Sequence, residues 1–126
     1  MKLRIKGDSL RYRVSPSEVA RLLQTGRVEE TVHFAPESDA KLIYALECTG
    51  AERKISICYR PQEVSVLLAR TEALSWAEGE QVGIYDDVNL GTCILAVSIE
   101  KDFACLDAGD RDNKDTFPNP KSGQVC

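Results

Sequence analysis

Residues 2–6 (Lys-Leu-Arg-Ile-Lys) and residues 10–14 (Leu-Arg-Tyr-Arg-Val) alternate between charged and apolar side chains on either side of Gly7-Asp8-Ser9. Period-two alternation sends successive side chains to opposite faces, so the two runs read as a β-hairpin. Ser15-Pro16-Ser17-Glu18 follows at once. Ser15 can cap a helix, Pro16 suits its first position, and Glu18 completes a capping box. Val19, Leu22 and Leu23 form the buried stripe of that helix, and Gly26 supplies its stop. Residues 28–34 then read as a third strand, with Val28, Glu30, Val32 and Phe34 on one face.

The pattern recurs. Residues 41–48 and 54–59 read as two strands around Thr49-Gly50-Ala51-Glu52, and Arg60-Pro61-Gln62-Glu63-Val64 reads as a second helix start. Pro16-Ser17-Glu18-Val19 lines up with Pro61-Gln62-Glu63-Val64, and Leu22-Leu23 with Leu67-Leu68. This predicts a helix running to about Leu74 and a strand near 81–85. The chain therefore reads as two strand-strand-helix-strand repeats, about 1–35 and 41–86, followed by a central apolar strand at about 92–99. The expected fold is α+β, a mostly antiparallel or barrel-like sheet with two helices packed on it. Residues 1–106 would form one such domain. After Phe103 the chain turns polar, and 107–126 reads as an acidic, proline-containing tail.

Length and composition fit one domain. A chain of 126 residues with 43% hydrophobic residues can bury roughly two thirds of its unfolded surface, so it needs no disulfide or metal to fold. The net charge of -4 argues against a general nucleic-acid binder. No apolar run reaches membrane-spanning length, and Met1–Lys6 lacks the apolar core of a signal peptide. Cys48, Cys58, Cys93, Cys105 and Cys126 are odd in number and widely spaced, which does not suit a disulfide framework. A cytoplasmic monomer or homodimer, without cofactor, is the expectation.

The N-terminal hairpin carries the clearest candidate site. Lys2, Arg4 and Lys6 share one strand face, and Arg11 and Arg13 share the matching face of its partner. A two-residue turn at Gly7-Asp8 sets Arg4 opposite Arg11 and Lys2 opposite Arg13. Like charges across a ladder are destabilising. Either an anion offsets them, since arginine forks match phosphate oxygens, or the face is solvated or neutralised by acids such as Glu29 and Glu47. The corresponding face of the second repeat (Lys41, Ile43, Ala45 and Glu47, with Lys54, Ser56 and Cys58) is far less basic. This favours a non-enzymatic module binding an anionic small molecule or protein partner.

A small enzyme or metal protein using Cys105, Asp107, the other tail carboxylates and Cys126 is the alternative. A structural protein without ligand is a third. The run Asp107, Asp110, Asp112 and Asp115 lacks the spacing and the glycine of a calcium loop. His33, the single histidine, reads as a surface residue, and Cys48 and Cys93 read as small core residues. Phe117-Pro118-Asn119-Pro120 either anchors the tail through its aromatic ring or is an extended terminal segment.

The expected barrel-like sheet resembles that of triphosphate-tunnel enzymes, which bind polyphosphates among inward-facing charges. Their Glu-x-Glu-x-Lys strand is replaced here by Lys2-Leu3-Arg4-Ile5-Lys6, so their metal-dependent chemistry does not carry over. Met1-Lys2-Leu3-Arg4-Ile5-Lys6-Gly7-Asp8-Ser9-Leu10-Arg11-Tyr12-Arg13 and Ile99-Glu100-Lys101-Asp102-Phe103-Ala104-Cys105-Leu106, with Asp115-Thr116-Phe117-Pro118-Asn119-Pro120, are closer to another pattern. They resemble the two ends of a bacterial family of short proteins of unknown function. That resemblance implies a free-standing bacterial protein and transfers no catalytic residue.

Overall fold

The computed structural model describes residues 1–103 and 115–117. Among these, the chain runs β1 (Lys2–Ile5), β2 (Ser9–Val14), α1 (Pro16–Thr25), β3 (Arg27–His33), β4 (Lys41–Thr49), β5 (Ile55–Arg60), β6 (Glu63–Ala69), α2 (Arg70–Glu78), β7 (Gly83–Asn89) and β8 (Ile94–Lys101). The strands form two open four-stranded sheets, ordered β1-β2-β8-β7 and β3-β4-β6-β5. The outer pairs in each sheet are antiparallel and the central pair is parallel. The α+β class stands, with two sheets where a single or barrel-like sheet was expected.

The first hairpin forms as its alternation dictates. Gly7 turns the chain at φ 52°, a region glycine enters without strain. The Lys6 amide donates to the Ser9 carbonyl (3.2 Å) across the turn. The helix that follows is fully capped: the Ser15 side chain accepts from the Glu18 amide, and the Glu18 side chain accepts from the Ser15 amide. Gly26 closes it at φ 84° by donating to the Leu22 carbonyl.

The second helix start is overturned. Residues 63–69 are strand β6, and Arg60-Pro61-Gln62-Glu63 is the hairpin turn between β5 and β6. Pro61 followed by a positive φ at Gln62 (67°) is the pattern of a type II turn. Arg60 stands where a capping side chain is needed, and Val64 and Val66 are stiff, β-favouring residues. The helix starts later, at Arg70, with Ala69 at the cap position and no side-chain cap. Residues 41–49 and 55–60 do not form a hairpin either. β4 pairs with β3 and, in parallel, with β6, whereas β5 pairs with β6. The order strand-strand-helix-strand-strand thus occurs twice, as β1-β2-α1-β3-β4 and β5-β6-α2-β7-β8. Ser15 corresponds to Ala69 in this order, and each sheet takes one hairpin from each half.

Both sheets and both helices share one core. Leu10, Tyr12, Val14, Val97, Ile99 and Ile84 come from the first sheet, and Val28, Leu46, Val66, Leu68 and Ile55 from the second. Val19 and Leu22 of α1 and Ala73 and Trp76 of α2 complete it. The Trp76 indole donates to the Val82 carbonyl (3.1 Å), which satisfies its buried N–H. Lys101 is buried, and its ammonium donates to the Gly79 carbonyl at the C-terminal end of α2 (2.8 Å), where the helix dipole favours a cation. The same ammonium lies 5.5 Å from the Phe117 ring centre. Phe117 also packs edge-on against Phe103 and donates its amide to the Asp102 carbonyl (2.7 Å). Phe117 is therefore an anchor. No helix among the described residues is long and apolar enough to cross a membrane.

Candidate functional site

Because Leu10, Tyr12 and Val14 point into the core, the alternate residues of β2 point away from it. The register of the hairpin is Lys2 opposite Arg13 and Arg4 opposite Arg11. The five cations of the hairpin therefore lie on the outer face of the first sheet, open to water. The sheets are not closed, so no tunnel of the triphosphate-enzyme kind encloses them.

Two of the five have carboxylate partners. Glu100 of β8 meets Arg11 Nε at 3.2 Å, and Asp102 meets Lys2 at 3.2 Å. Arg4, Lys6 and Arg13 make no ion pair with any described residue. Glu29 and Glu47 do not neutralise this face. They lie in the other sheet, where Arg27 of β3 gathers Glu29 (3.4 Å), Glu47 and Glu63 (2.8 Å). Burial alone would lower the pKa of Arg27, but hydrogen bonds to Glu47 and Glu63 outweigh it and raise the pKa.

The parallel pairing of β2 with β8 brings in side chains from the far end of the chain. Arg11 stands beside Ser98 and Ser9 beside Ala96, and Tyr85 of β7 stands beside Ser98. One row across the sheet is thus Arg4, Arg11, Ser98, Tyr85. The next is Lys2, Arg13, Glu100, Gly83. Two adjoining hollows share Arg4 and Arg11. One, of about 280 Å³, also has Lys2, Leu3 and Arg13 in its walls, and the other, of about 250 Å³, has Lys6, Ser9, Ala96 and Ser98. Glu100 ties the row together: one carboxylate oxygen takes Arg11 Nε, and the other accepts the Tyr85 hydroxyl (2.7 Å). Burial, that hydrogen bond and the Glu100 charge push the Tyr85 phenol up to about 12 against the pull of Arg11, so it remains a donor.

The five cations and their pairing are legible in the sequence, whereas Tyr85, Ser98, Glu100 and Asp102 escaped it. Alternation alone puts Ala96, Ser98 and Glu100 on one face of their strand. Nothing local says which strand lies beside it.

The other candidates separate. Cys105, Asp107 and Cys126 lie outside the described residues, as do Asp110 and Asp112. Asp115 accepts a hydrogen bond from the Ser17 hydroxyl (2.6 Å), which holds its carboxyl below the ordinary value. Cys93 is a correction: it is exposed in the turn before β8, because the apolar strand starts at Ile94, two residues later than expected. Cys48 packs against the core, and burial pushes its thiol up, which suppresses thiolate reactivity. His33 is exposed at the end of β3. Among the described residues no three His, Cys, Asp or Glu side chains are placed to hold a metal.

Neither curated proteins nor solved structures match the chain. The model of a family of unknown function (DUF7009) matches residues 1–121, and the chain belongs to that family.

Proposed function

We propose that the protein is a non-enzymatic binding module whose basic N-terminal hairpin holds a phosphate-bearing or other anionic ligand. The observation that carries this reading is the uncompensated charge on an open face. Arg4 and Arg11 face each other, as do Lys2 and Arg13, yet Arg4, Lys6 and Arg13 lack a carboxylate among the described residues. Opposed like charges cost roughly 0.2–1 kcal/mol per pair, and an oxyanion between them turns that repulsion into charge-assisted hydrogen bonds. The two hollows suit a group of phosphate size with a small appendage.

The reading extends to a bacterial, cytoplasmic setting, which fits the free thiols of Cys48, Cys58 and Cys93. It also treats the two strand-strand-helix-strand-strand halves as an internal duplication in which only the first half kept a basic face.

Thermal melting followed by Trp76 fluorescence tests the binding reading, with tripolyphosphate added at low and at raised salt. A ligand at a hundredfold excess over its Kd stabilises by about 2.7 kcal/mol. A shift that shrinks with salt and vanishes in Arg4→Ala/Arg11→Ala supports the module, since exposed charges are screened within about 10 Å at 0.1 M. No shift with tripolyphosphate or other anions, alongside a more stable double variant, identifies the arginines as tolerated repulsion and ends the proposal.

A further inference from the structure

The basic face is not uniform, and its asymmetry restricts what can lie on it. At one end of the central row stand Arg4 and Arg11, with Arg13 beside them. At the other end stands Tyr85, 47% exposed and neighboured by Asp87 on its own strand. Between the ends the floor is made of small side chains, Ser98 and Ala96 on β8. Strands lie about 4.8 Å apart, so the backbones of Tyr85 and Arg11 stand about 10 Å apart across Ser98, and Glu100 draws their tips closer by binding both. One sugar separates a phosphate from a ring by less than that backbone spacing, which the converging side chains span.

Glu100 sets both ends. By taking Nε of Arg11, it leaves that guanidinium's two terminal nitrogens without a carboxylate among the described residues. By accepting the Tyr85 hydroxyl, it restrains the phenol ring at the other end of the row. Resting on the anion-binding reading above, we infer that the ligand is a small phosphate ester carrying a planar ring, of mononucleotide type. Its phosphate sits among Arg4, Arg11 and Arg13, and its ring sits on Tyr85. Asp87 orients it: a phosphate placed at the Tyr85 end meets Asp87, whereas at the arginine end it meets three guanidinium groups, of which Glu100 engages only Arg11. The same acid disfavours a polymer, because a second phosphate crossing the row would run onto it.

Calorimetric titration of the intact protein tests this with three small-molecule probes, adenosine 5′-monophosphate, ribose 5-phosphate and tripolyphosphate, and with a short single-stranded oligonucleotide. Stacking of a base on an aromatic side chain corresponds to about tenfold or more in affinity. The nucleotide is therefore expected to bind about tenfold more tightly than ribose 5-phosphate. Tyr85→Ala should bring that ratio to about one, whereas Tyr85→Phe, which keeps the ring, should preserve it. Arg4→Ala/Arg13→Ala should weaken both sugar phosphates by the same factor. Equal binding of the two sugar phosphates, or a ratio untouched by Tyr85→Ala, overturns the ring subsite while leaving anion binding in place. A short single-stranded oligonucleotide that binds far more tightly than the mononucleotide overturns the small-molecule assignment. Failure of all three probes removes the anion-binding reading itself.

Discussion

Tyr12→Phe should make the protein more stable. Tyr12 lies in the middle of β2, fully buried, and its hydroxyl has no hydrogen-bond partner among the described residues. An unsatisfied buried polar group costs about 1–3 kcal/mol. Phenylalanine removes only the oxygen and keeps the ring, including its edge contact with Tyr44 at 6.4 Å. The oxygen's own dispersion attraction to its neighbours goes with it, and a few atom pairs at about 0.1–0.2 kcal/mol each offset about 0.5 kcal/mol of the gain. The net expectation is about 0.5–2.5 kcal/mol, or a rise in Tm of about 2–9 °C for a chain of this size. Urea unfolding followed at the single, buried Trp76 measures it, with the midpoint moving and the slope unchanged. The alkaline limb gives an independent check. Burial, and to a lesser degree the neighbouring Tyr44, hold the Tyr12 phenol well above the ordinary tyrosine range. Above about pH 10 the unfolded chain ionises this group and the folded one does not, so stability falls as pH rises there. Tyr12→Phe should flatten that fall. Destabilisation by about 1 kcal/mol or more would refute the reasoning, because it would mean the hydroxyl is satisfied.

Three further perturbations follow from the same geometry. Burial pushes the Glu18 carboxyl up, but hydrogen bonds from the N-terminal ammonium and from Ser15 outweigh it and hold it below its ordinary value. Its contribution is present above the unfolded value of about 4.3 and is lost as pH falls through the folded one. Melting between pH 6 and pH 3 should therefore show a shallower acid limb in Glu18→Gln. Arg27→Ala leaves Glu29, Glu47 and Glu63 facing one another without their shared cation. It should cost about 1–2 kcal/mol at low salt and less at high salt, read by urea midpoints at two ionic strengths. Gln62→Gly relieves a positive φ in the β5–β6 turn. Left-handed strain of about 1–2 kcal/mol is partly offset by the greater entropy of unfolded glycine, so a gain of up to about 1 kcal/mol is expected in the same melts.

Short-range patterns determined the local pieces of this fold. Alternation on both sides of Gly7-Asp8 made a hairpin whose register puts Arg4 against Arg11, because a two-residue turn leaves no freedom of pairing. Ser15, Pro16, Glu18 and Gly26 bounded α1 because their side chains and backbone satisfy the groups a helix end leaves open. Where local signals conflicted, the sequence misled. Pro61-Gln62-Glu63 resembles a helix start, yet β-branched Val64 and Val66 take their place in a sheet between β4 and β5. That preference depends on neighbours distant in sequence. The candidate site divides the same way. Its cations are local and legible, but the partners that shape it (Glu100, Ser98 and Tyr85) arrive only through the parallel pairing of β2 with β8. A parallel pair needs no short turn and leaves no local signature between its strands. Whether the arginines faced water or the core depended on which face of β2 the rest of the chain covered. Tertiary packing settled that, because Tyr12 and its apolar neighbours took the inside.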